Sequence, residues 1–181
     1  GAMDAVKTDI VVGGYEWGPA IPKIVVQFKG DVSGVTKDTF AVGMKSGFSN
    51  AKRTVTDAYT CDEKGNKVTT ASKYVAIEMS VKYGEANPFT YNQNTGRNEW
   101  TETIPVTVTV NTGKSFNAGD KKFESGDKFA FDVKAENRIV PQTATWHKDT
   151  VDYNENGKKI TLSRASWAPE GATADSGKNP L

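Results

Sequence analysis

Ile104, Val106, Val108 and Val110 alternate with Pro105, Thr107 and Thr109. A period of two places four branched apolar side chains on one face of a strand and polar ones on the other, a pattern that a 3.6-residue helix would scatter around its circumference. The same alternation runs through Val75, Ile77, Met79 and Val81, between Ala76, Glu78 and Ser80, and through Phe129, Phe131, Val133 and Ala135. Ile24, Val26 and Phe28 repeat it over a shorter span. Ile10 to Val12, Phe40 to Met44, Arg53 to Cys61, Thr143 to Tyr153 and Lys159 to Trp167 are further strand candidates, several of them rich in β-branched or aromatic residues. No segment carries a convincing helical stripe.

Turn chemistry divides these runs. Asp62-Glu63-Lys64-Gly65-Asn66-Lys67 and Asn154-Glu155-Asn156-Gly157-Lys158 each lie between strand candidates, and both predict hairpins. Short antiparallel strands with apolar-in, polar-out alternation favour two packed sheets over a parallel α/β core, which needs long amphipathic crossovers. The expected fold is therefore an all-β antiparallel sandwich of about seven to nine strands. Two connections, Lys82 to Asn98 and Asn111 to Lys128, are long for such a fold, so a minor extra element or a functional surface is expected in each.

With 181 residues, 36% hydrophobic and 25% charged, the chain is long enough to bury a core without help from disulfides or metal. Twenty-three Lys plus Arg against 22 Asp plus Glu leave a net charge of +1, which removes the long-range field of non-specific nucleic-acid binding. The longest apolar stretches, such as Ile24-Val25-Val26, fall far short of the roughly 20 residues of a membrane-spanning helix. Neither nucleic acid nor a membrane is an expected partner.

Reactive constellations are sparse. His147 is the single candidate imidazole base, it stands beside Trp146 in an expected strand, and no Gly-x-Ser-x-Gly elbow occurs. Cys61 has no local feature that would depress its pKa, and a packed or edge-strand thiol is the simpler reading. One His and one Cys cannot furnish a zinc site. Asp152-Tyr153-Asn154-Glu155-Asn156-Gly157 matches the first half of a calcium loop, but Ser163 stands where a bidentate glutamate is needed, so a hairpin turn is the better account. No cofactor or metal is expected. Aromatics that could stack on sugar rings are numerous; Tyr83, Phe89, Tyr91 and Trp100, in or beside the first long connection, are the candidate ligand or partner contacts.

Two regions carry a resemblance. The run Glu16-Trp17-Gly18-Pro19-Ala20-Ile21-Pro22-Lys23-Ile24-Val25-Val26-Gln27-Phe28, with Val32 and Phe40-Ala41-Val42 after it, is similar to the immunoglobulin-like N-terminal domain of bacterial secreted esterases. The closing run from Lys159 to Gly171, then Gly177-Lys178-Asn179-Pro180-Leu181, resembles that domain's last strand and the linker into an α/β-hydrolase domain. The opening Gly1-Ala2-Met3 looks like a tag remnant, residues 1–3; the resemblance implies 4–169 as an immunoglobulin-like sandwich and 170–181 as a linker toward a C-terminal catalytic domain. It also implies a secreted or cell-surface bacterial protein whose catalytic triad lies outside this chain. The domain itself is then a non-catalytic accessory unit that supports or orients the hydrolase domain or mediates homo-oligomer contacts. A carbohydrate-binding module using the loop aromatics, with polysaccharide as partner, is the alternative.

Overall fold

The computed structural model describes residues 5–15, 18–46, 49–81, 89–100, 103–134, 138–139, 145–146, 150–155 and 158–163. Along the chain these form β1 (Ala5–Tyr15), β2 (Gly18–Ser33), β3 (Phe40–Ser46), β4 (Ser49–Arg53), β5 (Val55–Cys61), β6 (Ser72–Met79), β7 (Phe89–Asn92) and β8 (Arg97–Trp100). Then follow β9 (Thr103–Val110), β10 (Phe116–Ala118), β11 (Lys121–Phe123), β12 (Lys128–Lys134), β13 (Arg138–Ile139), β14 (Thr145–Trp146), β15 (Thr150–Glu155) and β16 (Lys158–Ser163). The described residues contain no helix.

β2 is the spine of the larger, seven-stranded sheet. One edge pairs antiparallel with β6, which in turn pairs with β5; the other pairs first with β1 and, where β1 runs out, with β10. Val25 thus lies between Asp9 and Ala76, and Val32 between Ala118 and Ser72. β13 adds a short parallel rung to the far side of β1. The smaller sheet runs β12-β9-β3-β4, all antiparallel. The immunoglobulin-like sandwich expected from the sequence is present, with more strands in its two sheets than about seven to nine, among them the β10–β11 hairpin inside the second long connection.

The core between the sheets follows the period-two pattern. Ile104, Val106, Val108 and Val110 are all buried while Pro105 and Thr107 are exposed, as the alternation in β9 requires. Phe129 and Val133 of β12 face inward with them; Phe131 is only partly buried against the core. Val75, Ile77 and Met79 of β6 also point in, but Ala76, expected on a polar face, is buried as well. The outer side of the larger sheet is therefore partly covered, which strand alternation alone does not reveal.

Five phenylalanines close the core near the end of β2. Phe28 meets Phe116, Phe123 and Phe129 edge-on, with centroids 5.5, 5.5 and 5.7 Å away. Phe40 packs on Phe116 at 5.3 Å. Phe116 and Phe123 come from the β10–β11 hairpin, so the long connection after β9 is the device that carries two rings into the core. Seating it requires a close backbone approach: a Cβ on Gly30 would lie 2.7 Å from Gly119 Cα and N. Gly119 has φ of +60° and its N–H donates to Asp31 O at 2.8 Å. Side chains at this crossing would push the hairpin off β2.

A buried arginine ties the sheets together elsewhere. Arg53 ends β4 in the smaller sheet, is 2% exposed, and donates from Nη2 to Ile21 O at 2.9 Å and Ser80 O at 3.0 Å, both belonging to the larger sheet's side. Ser80 N–H returns a bond to Thr54 O at 2.9 Å. Nothing in the spacing of Ser49 to Arg53 announces this role, since an arginine at a strand end reads as a solvated charge.

The Gly30 crossing sets a first expectation. Gly30→Ala, measured by urea unfolding, should lower stability by about 1–3 kcal/mol, as overpacking against an unyielding backbone does. Gly43, where an added Cβ meets nothing within 4 Å, is the control: Gly43→Ala should leave stability unchanged or raise it by up to about 1 kcal/mol. A second expectation concerns Thr8, 3% exposed, whose hydroxyl finds no hydrogen-bond partner among the described residues. Thr8→Val, read by the same measurement, should stabilise by about 1 kcal/mol through removal of an unsatisfied buried group.

Candidate functional site

The four aromatics singled out in the sequence are not equally placed. Phe89 and Tyr91 lie in β7 and Trp100 in β8, and these two strands pair as a separate antiparallel hairpin. The register sets Phe89 opposite Trp100 and Tyr91 opposite Asn98, and Gly96 at φ of +69° helps to close the turn. Three of the four residues are thus brought into one hairpin, an extra element of the kind expected in the first long connection. Tyr83 and His147 lie outside the described residues. The part of the calcium-like run from Asp152 to Glu155 lies in strand β15, paired antiparallel with β16, and not in a loop.

One group of chemistry-bearing side chains lies on the outer face of the larger sheet. Pairing across β5, β6, β2 and β1 aligns Asp57, Glu78, Lys23 and Val11 in one row, Tyr59, Ala76, Val25 and Asp9 in the next, and Cys61, Tyr74, Gln27 and Lys7 in a third. Val25, Cys61 and Ala76 form a small second core, with Val11, Tyr59, Tyr74 and Ile139 packed against it. The Asp62–Lys67 turn folds over this patch. Asp62 Oδ1 accepts from Lys64 N and Asn66 N, each at 2.9 Å, and a Cβ on Gly65 would stand 3.1 Å from Val25 Cγ2. Partial burial pushes the Asp62 carboxyl up, but the bonds from Asn66, Lys64 and Gly65 outweigh it and hold the group below its usual value. Lys23 Nζ reaches across to Gly65 O at 3.1 Å and fastens the turn down.

Tyr59 is the centre of the patch. Its hydroxyl donates to Glu78 Oε2 at 2.5 Å, while Lys23 and Lys67 ammonium groups stand 5.6 and 5.3 Å from its ring centroid. Burial, then the hydrogen bond and charge of Glu78, push the phenol far above its ordinary value. Cys61, wholly buried, has its thiol pushed up to about 12, first by burial and then by the charge of Asp62. Both groups stay protonated near neutral pH, so neither is a nucleophile or a base there. Ser72 Oγ donates to Cys61 O at 2.7 Å, adding another backbone tie across the strand ends. The expected packed, edge-strand cysteine is what the structure contains. Tyr59 was reachable from the sequence: with Ala58 facing the core, Asp57, Tyr59 and Cys61 must face out.

The family model of the esterase Ig-like N-terminal domain matches residues 7–124, from β1 through β11 and thus most of both sheets. The chain belongs to this family. Among solved structures, it is similar to a thermostable esterase with a TM-score of 0.56 and 16% identity, a likeness of fold. The overlap covers 86% of this chain but 41% of the esterase, so the chain spans less than half of that protein's length. No curated protein matches the chain by sequence. The described residues include no helix long and apolar enough to cross a membrane.

The raised thiol fixes the sign of a pH effect. A thiol whose folded pKa lies above its unfolded value of 9.0 keeps its proton in the folded state while the unfolded state loses it. The unfolded state then binds fewer protons, and stability falls as pH rises from about 9 toward about 12. Urea midpoints should decline across that window, and Cys61→Ala should flatten part of the decline. Ellman's reagent at pH 8 should react with Cys61 only after urea is added; rapid labelling of the native protein would show the thiol to be accessible.

Proposed function

We propose that this domain is a non-catalytic accessory unit of a secreted esterase-like α/β-hydrolase, acting by surface contact to support and orient the catalytic domain. The observation that carries this reading is the family match, which falls on the strands of the sandwich itself and not on any assembled reactive group. The extent of the thermostable esterase beyond the shared fold leaves room for a second, catalytic domain in proteins built this way. The two described groups with the strongest pKa shifts, Tyr59 and Cys61, are held protonated, which suits a scaffold better than a reaction centre. Residues 170–181 serve as the connection to the hydrolase domain, and contacts between copies of the sandwich are a second route by which it would act on the enzyme.

The β7–β8 hairpin supports a second reading, since its register brings Phe89 and Trp100 to one rung where an aromatic surface for sugar rings would be built. Affinity electrophoresis on plant and bacterial glycans separates the two. The accessory reading expects no retardation; retardation lost in Tyr91→Ala and Trp100→Ala, with the fold intact, would favour the carbohydrate module.

The direct test uses p-nitrophenyl acetate on the 181-residue domain and on a longer protein that carries this domain ahead of an α/β-hydrolase domain. The isolated domain should release no nitrophenol above buffer, and deletion of residues 4–169 from the longer protein should lower its kcat/KM or its thermal midpoint. Ester hydrolysis by the isolated domain that disappears in His147→Ala would refute the reading.

A further inference from the structure

A cleft of about 380 Å³ opens where β3, the β4–β5 junction and the end of β9 meet, lined by Lys37, Asp38, Phe40, Ala41, Lys52, Arg53, Thr54, Val55 and Asn111. Its size falls at the lower end of small-molecule sites, roughly 300–1,000 Å³. Both walls are set by hydrogen bonds before any ligand arrives. On one, the turn before β3 closes through Thr39 N–H to Thr36 O at 3.0 Å and Thr36 N–H to Thr39 Oγ1 at 2.9 Å. Asn111 clamps that turn twice, from Nδ2 to Asp38 O and from its N–H to Thr39 O, each at 2.9 Å. On the other, Arg53 is anchored to Ile21 O and Ser80 O, and Thr54 O accepts from Ser80 N–H. Walls held in this way spare a ligand the cost of ordering them.

The lining has a definite charge pattern. Lys37, from the turn before β3, and Lys52, from β4, are both exposed and line the cleft, together with the buried Arg53. Asp38 stands on the same rim as a carboxylate acceptor. Two ammonium groups attract an anion, whereas Asp38 penalises a multiply charged one and accepts hydrogen bonds from hydroxyl donors. The partly buried Val55 adds an apolar patch to the lining, while Phe40 is turned almost wholly into the core.

We propose that this cleft binds a hydroxylated monocarboxylate of monosaccharide size, such as a sugar acid, with Lys37 and Lys52 taking the carboxylate and Asp38 and Thr54 the hydroxyl groups. The proposal goes beyond the accessory role and stands independently of it, because it concerns a site within the sandwich and is read on the domain alone.

The test is a titration of the 15N-labelled domain with D-galacturonate, D-galactose and inorganic phosphate at constant ionic strength. D-Galacturonate should produce saturable shifts confined to the amides of Lys37, Asp38, Lys52, Thr54 and Asn111, with a dissociation constant on the order of 1 mM. Lys37→Gln with Lys52→Gln, both at exposed positions, should weaken binding by about fivefold or more while leaving the remaining spectrum unchanged. D-Galactose should produce no saturable shift. Non-saturating shifts spread over surface lysines, binding indifferent to the two substitutions, equal binding of D-galactose, or phosphate binding as tightly as D-galacturonate would each overturn the proposal.

Discussion

The hydrogen-bond ladder of β2 is the constraint on which the rest of the structure depends. This sixteen-residue strand is paired on both edges, to β6 along one and to β1 then β10 along the other. Because side chains alternate, one register sends Ile24, Val26 and Phe28 into the core and Lys23, Val25 and Gln27 outward. A slip of one residue would exchange the two sets, emptying the core and exposing it at once. The register of β2 therefore also decides which residues of β1, β5 and β6 face the smaller sheet.

Two further contacts convert paired strands into a closed sandwich. The phenylalanine cluster depends on the β10–β11 hairpin reaching back to β2, and that reach depends on two glycines meeting backbone to backbone. Arg53 does the complementary work nearer the start of β2, where its guanidinium satisfies carbonyls across the gap between the sheets. A buried guanidinium costs desolvation that only well-placed acceptors offset, so its value lies in fixing how the sheets sit as much as in net stability. The same anchoring shapes the lining of the Lys37–Lys52 cleft, which makes the cleft a product of the sandwich closure and not of a mobile loop.

The outer patch around Tyr59 explains why a residue-rich surface is chemically quiet. A phenol bonded to Glu78 and a thiol sealed under the Asp62–Lys67 turn both retain their protons, and the lysines nearby are occupied with the tyrosine ring and with Gly65 O. Tyr59 and Cys61 both lie within residues 7–124, the part of the chain that the esterase Ig-like N-terminal family model matches.

The period-two runs at 104–110, 75–79 and 24–28 were legible because each strand has one wall in the core, and burial imposes alternation directly on the residue order. The Asp62–Lys67 and Asn154–Lys158 turns were legible for a similar local reason, and the resemblance of the Glu16–Phe28 run led to the family that the match over residues 7–124 establishes. Hairpins inside the two long connections were foreseen only as unspecified extra elements, because strands of three or four residues are too short to show a period. Ala76 and Cys61 lie in a small second core with Val25, against which Val11, Tyr59, Tyr74 and Ile139 from several strands pack, and Arg53 owes its partners to carbonyls remote in the chain. What the residue order determined by itself was the strands, their inward faces and the family. Which charges came to lie together in a cleft, and which polar residues were sealed, was decided by the tertiary structure, because those properties belong to contacts between segments that no local pattern encodes.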